Sequence, residues 1–170
     1  MRLFISIDFS EEILEVLKNS MDQLKRRCRS ANFTREENLH LTLAFIGETE
    51  RAEAAIRAMN RIKAESFPLT LSGSGHFGDL YWIGIRKSAQ LSALARRLKE
   101  ELLAEGFDID RIKFSPHITI ARRVQPQTAH DEIRLTVPQT SMTVSGFSLM
   151  ESFRDSGKLI YRELYWKSLE

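Results

Sequence analysis

The chain has 170 residues, 42% of them hydrophobic, long enough for a proper core and short enough for one compact domain or two half-size lobes rather than two fully independent domains. Its 25 basic and 23 acidic residues leave a formal net charge of +2. So balanced a chain is not drawn to polyanions by its overall field, and any nucleic-acid contact has to be local.

Residues 3–9, LFISIDF, alternate as a buried strand does. The run is too short for the core of a signal peptide and meets Asp8, Glu11 and Glu12 at once. No stretch approaches transmembrane length, so no membrane partner is expected. Ser10 reads as the N-cap of a helix with Ile13, Leu14, Val16, Leu17, Met21 and Leu24 at helical spacing, running toward Arg29. Its basic end, KRRCR at 25–29, has two readings: cations complementing a helix C-terminus, or a phosphate-binding patch. Cys28 is the single cysteine, which excludes an internal disulfide framework and a cysteine-based zinc site and fits a reducing, cytoplasmic compartment.

Residues 39–46 read as a strand stopping at Gly47, and 50–65 as a helix on Ala54, Ile56, Met59 and Ile62. Beyond Pro68, segments 69–73 and 80–85 read as strands joined across the turn-rich 73–79. The clearest helix is 88–107, with Ser88 as cap, Leu91, Leu94, Leu98 and Leu102 as the buried stripe and Gly106 as terminator. A strand over 112–122 is interrupted near its start by Pro116, and 131–137, 142–150 and 158–169 supply three more. No linker or low-complexity tract divides the chain. The strands are not each followed by a helix, so the expected class is α+β, two packed lobes with antiparallel or mixed sheets, rather than a doubly wound parallel sheet.

What repeats is a small pattern. ENLHLTLAFIG at 37–47 and SPHITIARR at 115–123 each carry a histidine two places ahead of a threonine inside an apolar run. On a strand, residues i and i+2 face the same way. His40 and Thr42 therefore share one face against Leu39, Leu41 and Leu43, and His117 and Thr119 share one against Ile118 and Ile120.

No H-E-x-x-H and no carboxylate at ligand spacing accompanies either strand, so no metal or other cofactor is expected; no G-x-S-x-G points to a serine nucleophile. Phosphodiester cleavage suits the set better. In-line attack on phosphorus needs a base on one side and an acid on the other, and histidine serves both near neutrality. Threonine hydroxyls donate to the non-bridging oxygens as charge develops there.

With these residues the chain resembles the two-histidine (2H) phosphoesterases, and among them the RNA 2',3'-cyclic phosphodiesterases, also called 2'-5' RNA ligases. The resemblance runs in order through RLFISIDF, NFTREENLHLTLAFIG, LSGSGHFG with LYWIGI, LARRLKEELLAEGF, FSPHITIAR and GFSLMESFRDSGKLIYREL, nearly the whole chain. It implies one domain over 1–170, built of two interleaved, pseudo-twofold-related lobes around a central cleft. It implies hydrolysis of RNA 2',3'-cyclic phosphate ends to 2'-phosphates, with reverse 2'-5' ligation, by His40 as proton donor and His117 as proton acceptor. Thr42, Thr119 and Arg122 would hold the phosphate, although strict alternation puts Arg122 on the far face unless a bulge intervenes. The acidic, short link between Phe77 and Trp82 and the spacing of basic residues in RIKFSP at 111–116 depart from the family pattern and bear on substrate grip.

Phe33 with Arg35, and Tyr81 with Trp82, stand as nucleotide contacts or as core. His76, in a turn, and His130, in a polar loop, read as solvated. The partners expected are RNA ends or small cyclic nucleotides, acting on a monomer with no obligate protein partner. An enzyme for small cyclic phosphates, including an ADP-ribose derivative, and a nucleotide-binding module on the same fold are the competing functions.

Overall fold

In the computed structural model, which describes residues 1–110, 112–130 and 132–170, the first strand β1 (Arg2–Ile7) buries every side chain from Leu3 to Ile7. Burial on both faces belongs to a strand inside a sheet, and β1 is paired on both edges. Its neighbours are β3 (Leu41–Glu48) and β8 (Gly146–Asp155), and β9 (Lys158–Ser168) completes a four-stranded sheet in the order β3-β1-β8-β9. The second sheet has the order β2 (Cys28–Phe33), β6 (His117–Pro126), β5 (Leu80–Ile85), β4 (Phe67–Phe77), β7 (Ser141–Val144). The pairings in both are antiparallel, so the fold is α+β as expected.

The chain alternates between the sheets: β1, β3, β8 and β9 lie in the first, β2 and β4 to β7 in the second. Helix α1 (Glu11–Arg27) follows a strand of the first sheet yet packs on β2, β6 and β7 of the second. Helices α2 (Ala52–Asn60) and α3 (Ala89–Ala104) pack on each other and reach β9 and β3 of the first sheet respectively. The caps are those the sequence offers. Ser10 Oγ accepts from the Ile13 N–H and Ser88 Oγ from the Leu91 N–H. Leu91, Leu94, Leu98 and Leu102 are buried, and Gly106 ends the helix in the left-handed region at φ +90.

Several segments differ from expectation. Helix α1 stops at Arg27, and Cys28 opens a strand that pairs with β6. The basic residues there are tethers: Lys25 lies over the Phe33 ring, Arg27 donates to the carbonyls of Arg134 and Glu132, and Arg29 to that of Gln127. None of these side chains lines the cleft. Of the expected strand 131–137, Asp131 lies outside the described residues and the rest joins no sheet, because Gln23 of α1 satisfies both the N–H and the carbonyl of Thr136. The run 142–150 divides at Ser145 into one strand for each sheet. In the hairpin, strand structure extends through Phe77, so His76 sits in a strand and only Gly78 and Asp79 turn. The strand expected from 112 begins at His117, after Pro116, which has no N–H to give a ladder; Arg111 of that approach lies outside the described residues. Among the described residues no helix is long and apolar enough to cross a membrane.

Candidate active site

Between the sheets lies a cavity of about 900 Å³, and His40, Thr42, His117, Thr119 and Arg122 all line it. Each histidine is anchored by its apolar neighbours: Leu39, Leu41, Ile118 and Ile120 are buried.

Both imidazoles are held in the same way. His40 Nδ1 is 2.6 Å from the Asn38 carbonyl oxygen, and His117 Nδ1 is 2.7 Å from that of Ser115, in each case two residues back. A carbonyl only accepts, so Nδ1 carries the hydrogen and the neutral ring has its lone pair on Nε2. At His40 that nitrogen lies 2.9 Å from Thr42 Oγ1, whose hydroxyl donates to it. Asn38 is itself pinned, its buried side-chain amide donating to the Leu159 carbonyl at 3.0 Å in β9. The carbonyl that orients His40 is thus tied to a strand over a hundred residues away.

Aromatic rings complete the support. Tyr161 meets the His40 ring edge-on, with centroids 5.2 Å apart at 85°, and Phe4 lies 5.0 Å away. Phe77 meets the His117 ring at 5.4 Å and again 85°. Burial among these groups pushes the His40 pKa down, while the Asn38 carbonyl and the Asp8 carboxylate oppose the shift. The Tyr161 phenol is pushed up by burial, against the opposing charges of Arg122 and Arg2.

Arg122 reaches the cleft because β6 is bulged. Across β5 and β6, Trp82 pairs with Thr119 but Tyr81 pairs with Ala121, leaving Ile120 extra. Ile120 and Ala121 are both buried, so the next residue returns to the face of His117 and Thr119. Strand β3 does likewise. Ser6 pairs with Thr42 and Ile5 with Ala44, Leu43 and Ala44 are both buried, and Phe45 comes back to the face of Thr42. The repeat is therefore six residues long, HLTLAF at 40–45 and HITIAR at 117–122, and its last position holds a phenylalanine in one half and an arginine in the other. Thr34 locks the second bulge, its N–H donating to the Ile120 carbonyl at 2.9 Å and its hydroxyl to that of Thr119 at 3.0 Å.

Phe33 and Arg35 also line the cavity, and Tyr81 is core. Trp82 is the wall behind His117: its indole lies on Gly75, where a Cβ would stand 2.4 Å from the ring. His76 stacks on Tyr81 and His130 is exposed; neither lines the cavity. Among the described residues no three His, Cys, Asp or Glu side chains cluster as metal ligands do. The sequence did not point to Thr34, Phe45, Tyr161 or the part of α3 that faces the cleft; only the bulge after each H-x-T, legible in the repeated L-A and I-A pairs, had a local signal.

Among known proteins, the family model described as the 2'-5' RNA ligase superfamily matches residues 13–156. A Thermotoga maritima protein named RNA 2',3'-cyclic phosphodiesterase is 32% identical over 97% of this chain and 94% of its own, and the Escherichia coli K12 protein of the same name is 30% identical over 96% and 93%. The crystal structure of E. coli LigT complexed with 3'-AMP superimposes with a TM-score of 0.84, at 27% identity, over 99% of this chain and 97% of that one.

Proposed function

Since the chain belongs to the 2'-5' RNA ligase superfamily, we propose that it hydrolyses the 2',3'-cyclic phosphate at an RNA end to a 2'-phosphate, through acid and base catalysis by its two cleft histidines. The observation that carries the reading is that both imidazoles line one cavity with Nδ1 tied to a carbonyl, which turns Nε2 to proton transfer, at His40 beside the Thr42 hydroxyl. A binding module has no need of two such matched rings.

In the hydrolytic direction His117 Nε2 takes a proton from water as its oxygen attacks phosphorus. The P–O3' bond breaks and His40 Nε2–H delivers a proton to O3', leaving the phosphate on O2'. Burial suits His40 to proton donation, because a lowered pKa makes its protonated form a stronger acid, and the Asp8 carboxylate and the bound phosphate favour that form. Thr42 turns its hydroxyl from the imidazole to a non-bridging oxygen, and Thr119 and Arg122 supply donors and charge from the other wall. With a 5'-hydroxyl in place of water the same two rings, in the same roles, open the cyclic phosphate and join RNA ends by a 2'-5' bond; they exchange roles when O3' attacks that bond and restores the cyclic phosphate. The work is done by a monomer in the reducing cytoplasm, where the buried Cys28 stays a thiol.

The test is to incubate EDTA-treated protein with a short RNA ending in a 2',3'-cyclic phosphate and to identify the product by mass and phosphatase sensitivity. A 2'-phosphate end is the expected product. A 3'-phosphate end, or an unchanged substrate, contradicts the reading.

A further inference from the structure

Ser6 is wholly buried in β1, yet its hydroxyl has no hydrogen-bond partner. A buried hydroxyl left unpaired costs stability, so for the fold alone alanine would serve better. The neighbours of Ser6 give the hydroxyl a use. Across the sheet it pairs with Thr42 of β3 on one side and with Ser148 of β8 on the other. Directly paired residues point to the same face with Cβ atoms about 5 Å apart, so their hydroxyls reach hydrogen-bond distance by rotation about Cα–Cβ.

Both ends of this row are already engaged. Thr42 Oγ1 lies 2.9 Å from His40 Nε2, and the buried Ser148 donates from Oγ to Glu163 Oε1 at 2.6 Å. Glu163 stands on β9 and is exposed. The row thus crosses β3, β1, β8 and β9 from an imidazole to a carboxylate, and only the Ser6 link is open. An open link matches the neutral ring. While Nε2 has a lone pair, the Thr42 hydroxyl donates to it and has nothing to give Ser6. Once Nε2 carries a proton, Thr42 Oγ1 accepts from it and the Thr42 hydrogen needs a new acceptor. Ser6 Oγ is the unpaired one beside it.

Resting on the hydrolytic reading above, in which His40 is the acid, we infer that Ser6 and Ser148 link the proton-loaded His40 ring to the Glu163 carboxylate. Nε2–H donates to Thr42, Thr42 to Ser6, Ser6 to Ser148 and Ser148 to Glu163. Ser6, Ser148 and Glu163 do not line the cleft, so they are positioning residues that hold the proton on His40 while the cleft is empty. An arriving phosphate takes the Thr42 hydrogen from Ser6, and Nε2–H turns to O3'. The other titratable groups here are Asp8, which acts on both the ring and Glu163, and Tyr161, which meets the ring edge-on and is itself under the charges of Arg122 and Arg2. All of these stay in place when the hydroxyl link alone is cut.

The experiment follows kcat/KM against pH for an RNA ending in a 2',3'-cyclic phosphate, and the His40 imidazole titration by NMR in the free protein, in wild type, Ser6→Ala, Ser148→Ala and Glu163→Gln. Ser6→Ala removes the link and no charge. It is expected to move the His40 titration lower and to reduce kcat/KM about tenfold near neutral pH, with the deficit closing as pH falls and the ring loads in either protein. Its Tm, where the ring is neutral, stays at or above that of wild type, because the lost hydroxyl was unpaired. Ser148→Ala and Glu163→Gln show the same pH-dependent deficit, and they carry the test if Ser6→Ala fails to fold. A deficit equal at every pH, or none, overturns the link while leaving the hydrolysis standing. So does a shift in Glu163→Gln that neither serine variant reproduces, since the charge then acts through space. No turnover by the wild-type protein overturns the hydrolytic reading, and this inference with it.

Discussion

Arg122 shares the cleft face of β6 with His117 although it lies five positions further along, an odd offset that a regular strand would send to the opposite face. Two consecutive buried residues, Ile120 and Ala121, account for the change of phase, and Thr34 fastens the carbonyls of Thr119 and Ile120 on either side of it. Removing the charge with Arg122→Gln is expected to lower kcat/KM about 100-fold, the scale of one donor lost from a charge-stabilising site. Arg122→Lys recovers part of that, as a point charge without the guanidinium fork. Thr34→Val removes a hydrogen bond worth about 1 kcal/mol of stability and lowers kcat/KM through the bulge. Added to Arg122→Gln it costs no further activity, which a double-mutant cycle reads directly.

His40→Ala and His117→Ala are each expected to lower turnover of a cyclic-phosphate RNA by about 100- to 10,000-fold, with the circular dichroism spectrum unchanged. A variant near the wild-type rate removes that histidine from the mechanism.

The His40 imidazole is expected to titrate below the ordinary histidine value of about 6.5, because burial opposes its charge. Asp8→Asn takes away an opposing carboxylate and moves the titration lower still. The unfolded chain binds the proton more readily than the folded one, so this group's contribution to stability is present above the unfolded value and is lost as pH falls below it. Imidazole NMR titration checks the first statement. The second is checked by the pH dependence of Tm, whose slope below pH ~6.5 flattens in His40→Gln.

Neither sheet is built from one continuous stretch, since β1 and β3 enclose β2, and β8 and β9 return to the first sheet after β7. Residues 1–170 are therefore expected to unfold as one unit in a single transition, with fluorescence and circular dichroism giving the same midpoint. Two resolved transitions would assign the lobes separate stability.

Much of this was legible in the sequence because it is local. Ser10 and Ser88 cap as their spacing requires, the leucine stripe of α3 is buried, and both H-x-T faces open on one cavity. What was not legible depends on distant partners. Cys28–Phe33 is a strand only because β6 pairs with it, and residues 132–137 are kept out of a sheet by Gln23. Tyr161 reaches His40 from the last strand, and α3 shows the cleft a basic side that its leucine spacing does not reveal. Arg122 lies between these cases: alternation alone misplaces it, and the bulge that corrects it needs the β5 register to be seen.

The central claim is that His40 delivers the proton to O3' and His117 removes one from water. It is tested most directly with an RNA whose 2',3'-cyclic phosphate has sulfur in place of the 3' bridging oxygen, because a thiolate leaves without needing a proton. This substrate is expected to restore turnover to His40→Ala and to leave His117→Ala inactive. Restoration of His117→Ala instead, or of neither variant, would contradict it.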